Sequence, residues 1–423
     1  LLETLVQIYR DVLKGLDQAT FLQDRLAGEP FAPYTQVLAL GKAAARMAVV
    51  AGPYCAPPPE GFLITKESHL RPELRDSLLG FECWEAGHPL LDQRGLMATQ
   101  RLLRWVEEVR RPDHLLLLLS GGTSSLLELP APPLTLSDLR ALNGAMLASG
   151  IPIEEINVVR KHLSLVKGGQ LGQLLCARFR RVTQLVFSDV SGFGLDLVGS
   201  GPALADPSTV ADAAALLEKL DRHALPSLLR RCSQALIETP KSLPLQAELL
   251  ADHRTLAGLA RLTLGGRASQ DPQWNSEVSG DVQALAREWA HLSLRLRDQG
   301  FQGTLVATGE PTVRLSAQAS GKGGRCQELA ARFAREISGT SGIALLAGSS
   351  DGTDGPTPYA GAVVDGSSWE RICRALGATV AEQHLARNDS SALLGAVLGL
   401  LLETGPTGHN LNDLFLLEIS ARG

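Results

Sequence analysis

Two stretches of the 423-residue chain set cations where the backbone itself favours an anion. Lys42 follows the apolar run "QVLAL" and opens "GKAAARMA"; Lys322 and Arg325 stand among Gly321, Gly323 and Gly324 in "GKGGRCQELA", which runs straight into a helical pattern. A helix N-terminus carries unpaired N–H groups and the positive end of the helix dipole, so it draws anions and repels cations. A lysine there costs stability unless an anion joins it or its stem carries the ammonium out to water. Arginine's planar fork suits two-point contact with a carboxylate or phosphoryl group, whereas lysine acts as a point charge.

Further glycine turns follow the same logic. In "SGGTSS", Ser120, Gly121, Gly122, Thr123 and Ser124 offer backbone N–H groups and hydroxyl donors to an anion, or form a tight turn with a serine cap and no ligand. In "INVVRKHLSLVKGGQL", Asn157, Arg160 and Ser164 share one face at helical spacing, and Lys167 precedes Gly168 and Gly169. That face binds an anion or is a solvated basic surface. His162 reads as a packed or surface histidine, and Cys326 as a small buried residue. Asp189, Glu310, Asp351, Asp354 and Asp389 fall where strands end, well placed to hold Mg²⁺ through water or to accept a hydroxyl proton; Asp-Gly pairs are also ordinary turn residues. Neither a GxxxxGK[ST] loop nor a complete GxGxxG fingerprint occurs.

These turns need a scaffold. Short apolar runs recur before them: "QVLAL", "LLLLL", "TQLVF" and "GIALLAG". Such runs suit strands buried on both faces, hence an α/β fold with a largely parallel, Rossmann-like sheet between helices. Between about 203 and 300 helical segments dominate, and "ETPKSLPLQ" reads as a linker. The expected division is 1–240 and 241–423. "GTLVATGEPTVRLS" alternates like an edge hairpin, which predicts a mixed sheet in the second domain.

A formal net charge of -5 and the absence of basic runs argue against a nucleic-acid or anionic-membrane partner. Six scattered cysteines without a CxxC pair predict reduced thiols. No apolar run approaches the ~20 residues of a membrane helix, and the acidic, helix-periodic first residues do not read as a secretory signal. The expectation is a cytoplasmic protein, monomer or homodimer, with small-molecule partners.

In order, "LALGKAAARMA", "AGHPLLDQRG", "LLLSGGTSSLL", "INVVRKHLSLVKGGQL", "SDVSGFGLDLVGSGP", "TGEPTVRL", "GKGGRCQELA", "GSSDGTDGPTPYAGAVVDG", "ARNDSSALL" and "TGPTGHNLNDLFLLEI" resemble the motif series of the class II glycerate 2-kinases, whose C-terminal domain is of MOFRL type. Some members carry the label hydroxypyruvate reductase. The resemblance implies two α/β domains with the active site in the cleft between them. It implies phosphorylation of D-glycerate to 2-phosphoglycerate with ATP and Mg²⁺. Lys42 and Arg325 match the family's GKA and GGR positions as an essential pair, with Lys167 as a third cation and Asp189 as base or metal anchor. The motifs add Asn388, Asn410 and Asp389 to the binding residues. The usual "SDVxGDD" reads "SDVSGFG" here, leaving Asp189 and the later Asp196. An NAD(P)H-dependent hydroxypyruvate reductase and a non-catalytic metabolite sensor are the alternatives.

Overall fold

The computed structural model describes the chain except residues 17, 29–33, 57, 150, 189–194, 221–224, 317–318, 408–410 and 421–423, and the side chains at 18, 19, 196 and 246. It divides into two compact units, 18–250 and a discontinuous one made of 1–17 and 251–423.

The first unit is built on a six-stranded sheet: β1 Gln36–Leu40, β2 Gly61–Lys66, β3 Phe81–Ala86, β4 His114–Leu119, β5 Arg181–Phe187 and β6 Gln246–Ala251. Their order is β3-β2-β1-β4-β5-β6, and β1 to β5 pair in parallel. All five residues of β1 and all six of β4 are buried, because both faces are covered. Leu38, Leu40, Leu115, Leu117 and Leu119 pack with Leu102 and Val106 of helix Gln93–Glu108 and with Leu171 and Leu175 of helix Gln170–Arg178. The opposite-facing Val37, Ala39, Leu116 and Leu118 are equally buried, and helix Ala44–Ala51 packs on that sheet.

The strand order reverses between β1 and β4, and in open α/β sheets ligands gather outside the carboxyl ends of the strands at such a point. Register makes the point sharp: Leu40 pairs with Leu119, so the two strands end level and their loops leave the sheet side by side.

The second unit holds a mixed sheet, β12-β11-β10-β13-β9-β7 with β8 also on β9, where β7 is Ala268–Ser269, β8 Glu277–Val278, β9 Gly303–Gly309, β10 Ile343–Ser349, β11 Gly361–Asp365, β12 Leu401–Leu402 and β13 Asp413–Ile419. The mixed sheet matches the expectation; the edge hairpin at 303–316 does not. β9 lies inside the sheet, antiparallel to β13 on one side and parallel to β7 and β8 on the other. Its alternation misleads because Thr304 is buried yet satisfied, its hydroxyl donating to Glu418 Oε2. Helices Val282–Asp298 and Arg325–Glu336 supply the core, with Trp289 and Phe333 packed among Leu345, Phe415 and Leu417.

Helix Leu2–Gly15 belongs to this unit. Its Tyr9 is fully buried, donates to the Ser349 carbonyl (2.6 Å) and lies against Gly348, where a Cβ would fall 2.8 Å from the Tyr9 ring. Among the described residues no helix is long and apolar enough to cross a membrane, and all six cysteines are free.

Candidate active site

In the first unit the loops after β1 and β4 are stitched together. The Lys42 N–H donates to the Gly121 carbonyl (2.9 Å), the Ala43 N–H to Ser120 Oγ (3.1 Å), and the Ser120 N–H to the Leu40 carbonyl (2.9 Å). Gly41 makes this possible: its φ is +115°, and a Cβ there would sit 2.3 Å from Ser120 Oγ. The half-buried Lys42 side chain lies against the turn, its Cγ 3.0 Å from where a Cβ of Gly122 would be, and the His88 ring lies 3.2 Å from the same point. No hydrogen bond between described residues uses the N–H groups of Gly121, Gly122 or Thr123, while Thr123 Oγ1 donates to the Ser120 carbonyl (2.7 Å). Lys42 and Ser120 to Ser124 are therefore brought together.

Beneath this turn lies a buried polar network. Lys167, 1% exposed, donates to the Ser124 carbonyl (2.7 Å) and to Glu128 Oε2 (2.5 Å). Glu128 Oε1 accepts from Ser164 Oγ (2.6 Å) and the Leu129 N–H (3.0 Å). Burial pulls the Lys167 ammonium below its usual range, against the pull of Glu128. Ser124 Oγ meets Ser200 Oγ (2.9 Å), which bonds Asn157 Oδ1 (3.0 Å). Arg160 donates to Asn143 Oδ1 (2.9 Å). The 157–169 segment is thus a support under the turn and not the solvated basic face of the other sequence reading. Two expected roles are corrected: Lys167 spends its charge inside the fold, and the N–H groups of Gly168 and Gly169 are taken by the carbonyls of Ser200 (3.0 Å) and Gly201 (2.8 Å). His162 is packed, its ring bonded to the Ile237 carbonyl and Ser208.

In the second unit Arg325 is the first residue of its helix. Nε and Nη2 clasp both oxygens of Asp413, and Nη1 reaches Glu310 Oε1 (2.5 Å). Burial opposes the charge, but Asp413 and Glu310 outweigh it and hold the guanidinium protonated well above its usual range. Three of its five N–H groups are used, leaving two to point elsewhere. The turn's N-terminal helix groups are not an open anion site: Asp354, buried, accepts from the N–H groups of Cys326 (3.1 Å) and Gln327 (2.8 Å) and from Gln327 Nε2 (3.0 Å). The anion that caps this helix belongs to the chain. Burial and the nearby Asp413 push Asp354 up to about 7, against those N–H donors. Asp351 folds back on its own loop, accepting from the Thr353 N–H (2.8 Å).

Gly321 and Lys322 lie beside Asp389, whose Oδ1 accepts from the Lys322 N–H (2.9 Å), while Gly323 lies against Ser390 and Gly324 against Asp354. Asp189 and Asn410 fall outside the described residues, and of Asp196 only the backbone is described. Sequence reasoning missed Glu128, Asp413, His88 and His384. His88 and Asp413 lay in quoted motifs, "AGHPL" and "NLNDLF", and Asp413 opens β13.

A domain of unknown function, DUF4147, matches residues 5–234, and the MOFRL family matches residues 303–413. The D-glycerate 2-kinase of Thermotoga maritima is 37% identical over 391 residues, 90% of this chain and 89% of its own. The chain belongs to the glycerate kinase family. An Agrobacterium vitis member of similar sequence, 35% identical over 89% of this chain and 85% of its own, is provisionally named hydroxypyruvate reductase. The crystal structure of a Thermotoga maritima glycerate kinase shares 35% identity at a TM-score of 0.79, covering 99% of this chain and all of its own. Within the glycerate kinase family frame, Lys42 and the Ser120–Ser124 turn fall in the first matched region, and Arg325 and Asp413 in the second.

Proposed function

We propose that this chain transfers the γ-phosphoryl group of ATP to the 2-hydroxyl of D-glycerate. The observation that carries the reading is the strand-order reversal itself: Lys42 lies across a glycine turn whose N–H groups the described hydrogen bonds leave unused. The kinase names of the relatives supply the reaction.

Phosphoryl transfer asks a protein mainly to position reactants and to neutralise developing charge. In this reading Lys42 and the N–H groups of residues 121–123 hold one anionic group, and the two remaining N–H groups of Arg325 hold another. The glycerate oxygen forms the new bond to phosphorus, the bond to the bridging oxygen of ADP breaks, and Asp189 takes the hydroxyl proton. Among the described residues no three His, Cys, Asp or Glu side chains converge on a metal position, and Asp413 and Glu310 are engaged by Arg325. The described donors do not fit a resident metal, and no step here runs through one; Mg²⁺ would travel with the nucleotide as part of the substrate.

A coupled assay of ADP release tests this. D-glycerate, ATP and Mg²⁺ should give turnover that Lys42→Ala and Arg325→Ala each reduce by about 100-fold or more with the fold retained. No ADP above background, or oxidation of NADH with hydroxypyruvate in its place, overturns the reading.

A further inference from the structure

The chain fixes the backbone of Lys322 on every side while leaving its side chain out in solvent. The Lys322 N–H donates to Asp389 Oδ1 (2.9 Å), and its carbonyl accepts from the Ser391 N–H (3.0 Å). The N–H groups of Ser320 and Gly321 both reach the Arg387 carbonyl (3.3 Å each). Contact is so close that a Cβ on Gly321 would lie 2.1 Å from the Asp389 Cβ. The exposed Lys322 ammonium takes part in no hydrogen bond or ion pair among the described residues.

Asp389 is itself held. Its Oδ2 lies 2.8 Å from His384 Nδ1, and its N–H donates to the His384 carbonyl (2.9 Å). An ionised carboxylate only accepts, so Nδ1 carries the proton. The neighbouring Asn388, at φ +53°, anchors the cradle to helix Arg325–Glu336: Nδ2 donates to Glu328 Oε1 (3.1 Å), which also takes Arg332 (2.6 Å), and Oδ1 accepts from the Ser316 N–H (3.0 Å). Four hydrogen bonds, and an approach at Gly321 too close for any side chain, surround one exposed lysine. What they do is fix where the ammonium can reach.

We propose that Asp389, oriented by His384, is a positioning residue that aims Lys322 at an anionic group of the substrates; this rests on the kinase reading. A displacement of about 1 Å in such a group costs about 100-fold in rate. Asp389 touches no reacting atom in this scheme and acts through Lys322.

The test is a double-mutant cycle in the ADP-release assay. Lys322→Ala and Asp389→Ala should each lower kcat/KM by about 10- to 100-fold, and the double variant should fall no more than about threefold below Lys322→Ala. Asp389→Asn, which keeps Oδ1 as an acceptor, and His384→Asn, which keeps a donor near Nδ1, should stay within about threefold of the parent, whereas His384→Ala should not. Losses that multiply in the double variant, or an Asp389→Ala enzyme of parental kcat/KM, overturn the proposal. A parent protein that forms no ADP overturns the kinase reading instead. The same cycle is then read in equilibrium binding of ATP and of D-glycerate: non-additive losses for either ligand support the brace, and additive or absent losses refute it.

Discussion

Lys167→Met should destabilise the 18–250 unit by about 3 kcal/mol at pH 8. Breaking a buried ion pair from one side leaves an uncompensated charge and costs about 3–5 kcal/mol. Glu128 is only 3% exposed, but it keeps the Ser164 hydroxyl (2.6 Å) and the Leu129 N–H (3.0 Å), which places the loss at the lower end. Adding Glu128→Gln, which keeps an acceptor for Ser164 and Leu129, should recover about 2 kcal/mol. It should not recover activity, since the Ser124 carbonyl has still lost the Lys167 donor and the turn beneath Lys42 its support. Urea unfolding at pH 8, with the unit's transition assigned by hydrogen exchange in β4 and β5, measures each step. A single variant within about 1 kcal/mol of the parent at pH 8, or a double variant no better than the single, would refute the reasoning.

Asp354 bears on pH in the parent protein. With its folded pKa raised by burial and Asp413 to about 7, the stability it contributes is complete below about pH 4 and is lost as pH rises through about 7. Asp354→Asn should flatten that decline in a plot of unfolding free energy against pH; an unchanged slope sinks the assignment. Gly41→Ala should remove ADP formation and lower the thermal midpoint, because the new Cβ would meet Ser120 Oγ at 2.3 Å at a φ of +115°; retained activity contradicts the close approach described. Gln184 is fully buried on the same sheet face as Val182 and Val186, and among the described residues neither amide atom is hydrogen-bonded. Gln184→Met should raise stability by about 1 kcal/mol in urea unfolding, and a loss of that size would show that the amide has a partner.

Local signals carried the parallel sheet. Buried runs such as "QVLAL" and "LLLLL" have no polar alternation, and the glycines after them mark the turns, so β1, β4 and β5 and the start of the Arg325 helix could be read directly; "GIALLAG" is a strand too, β10, but it runs antiparallel to both β11 and β13, because burial on both faces does not fix a neighbour's direction. What sequence left hidden depends on long-range pairing. Lys167 reads as one more basic residue because its partner Glu128 lies 39 positions earlier. Gly321–Arg325 reads as an open anion trap because Asp354, which closes it, arrives 28 positions after the Cys326 N–H that it accepts. β9 reads as an edge because nothing near Thr304 announces Glu418. Lys42 was legible because its conflict with the helix dipole is local, and the turn that resolves it follows a neighbouring strand that ends level with β1.

Because the helix at residues 2–15 docks on the sheet of the later unit, the earlier unit is an insertion into its neighbour and not a bead preceding it. During synthesis the 18–250 segment can close its own core as soon as it emerges, while Tyr9 waits for Ser349, 340 residues downstream, before its ring and hydroxyl are covered. The helix at residues 2–15 is therefore made long before the strand that shelters it.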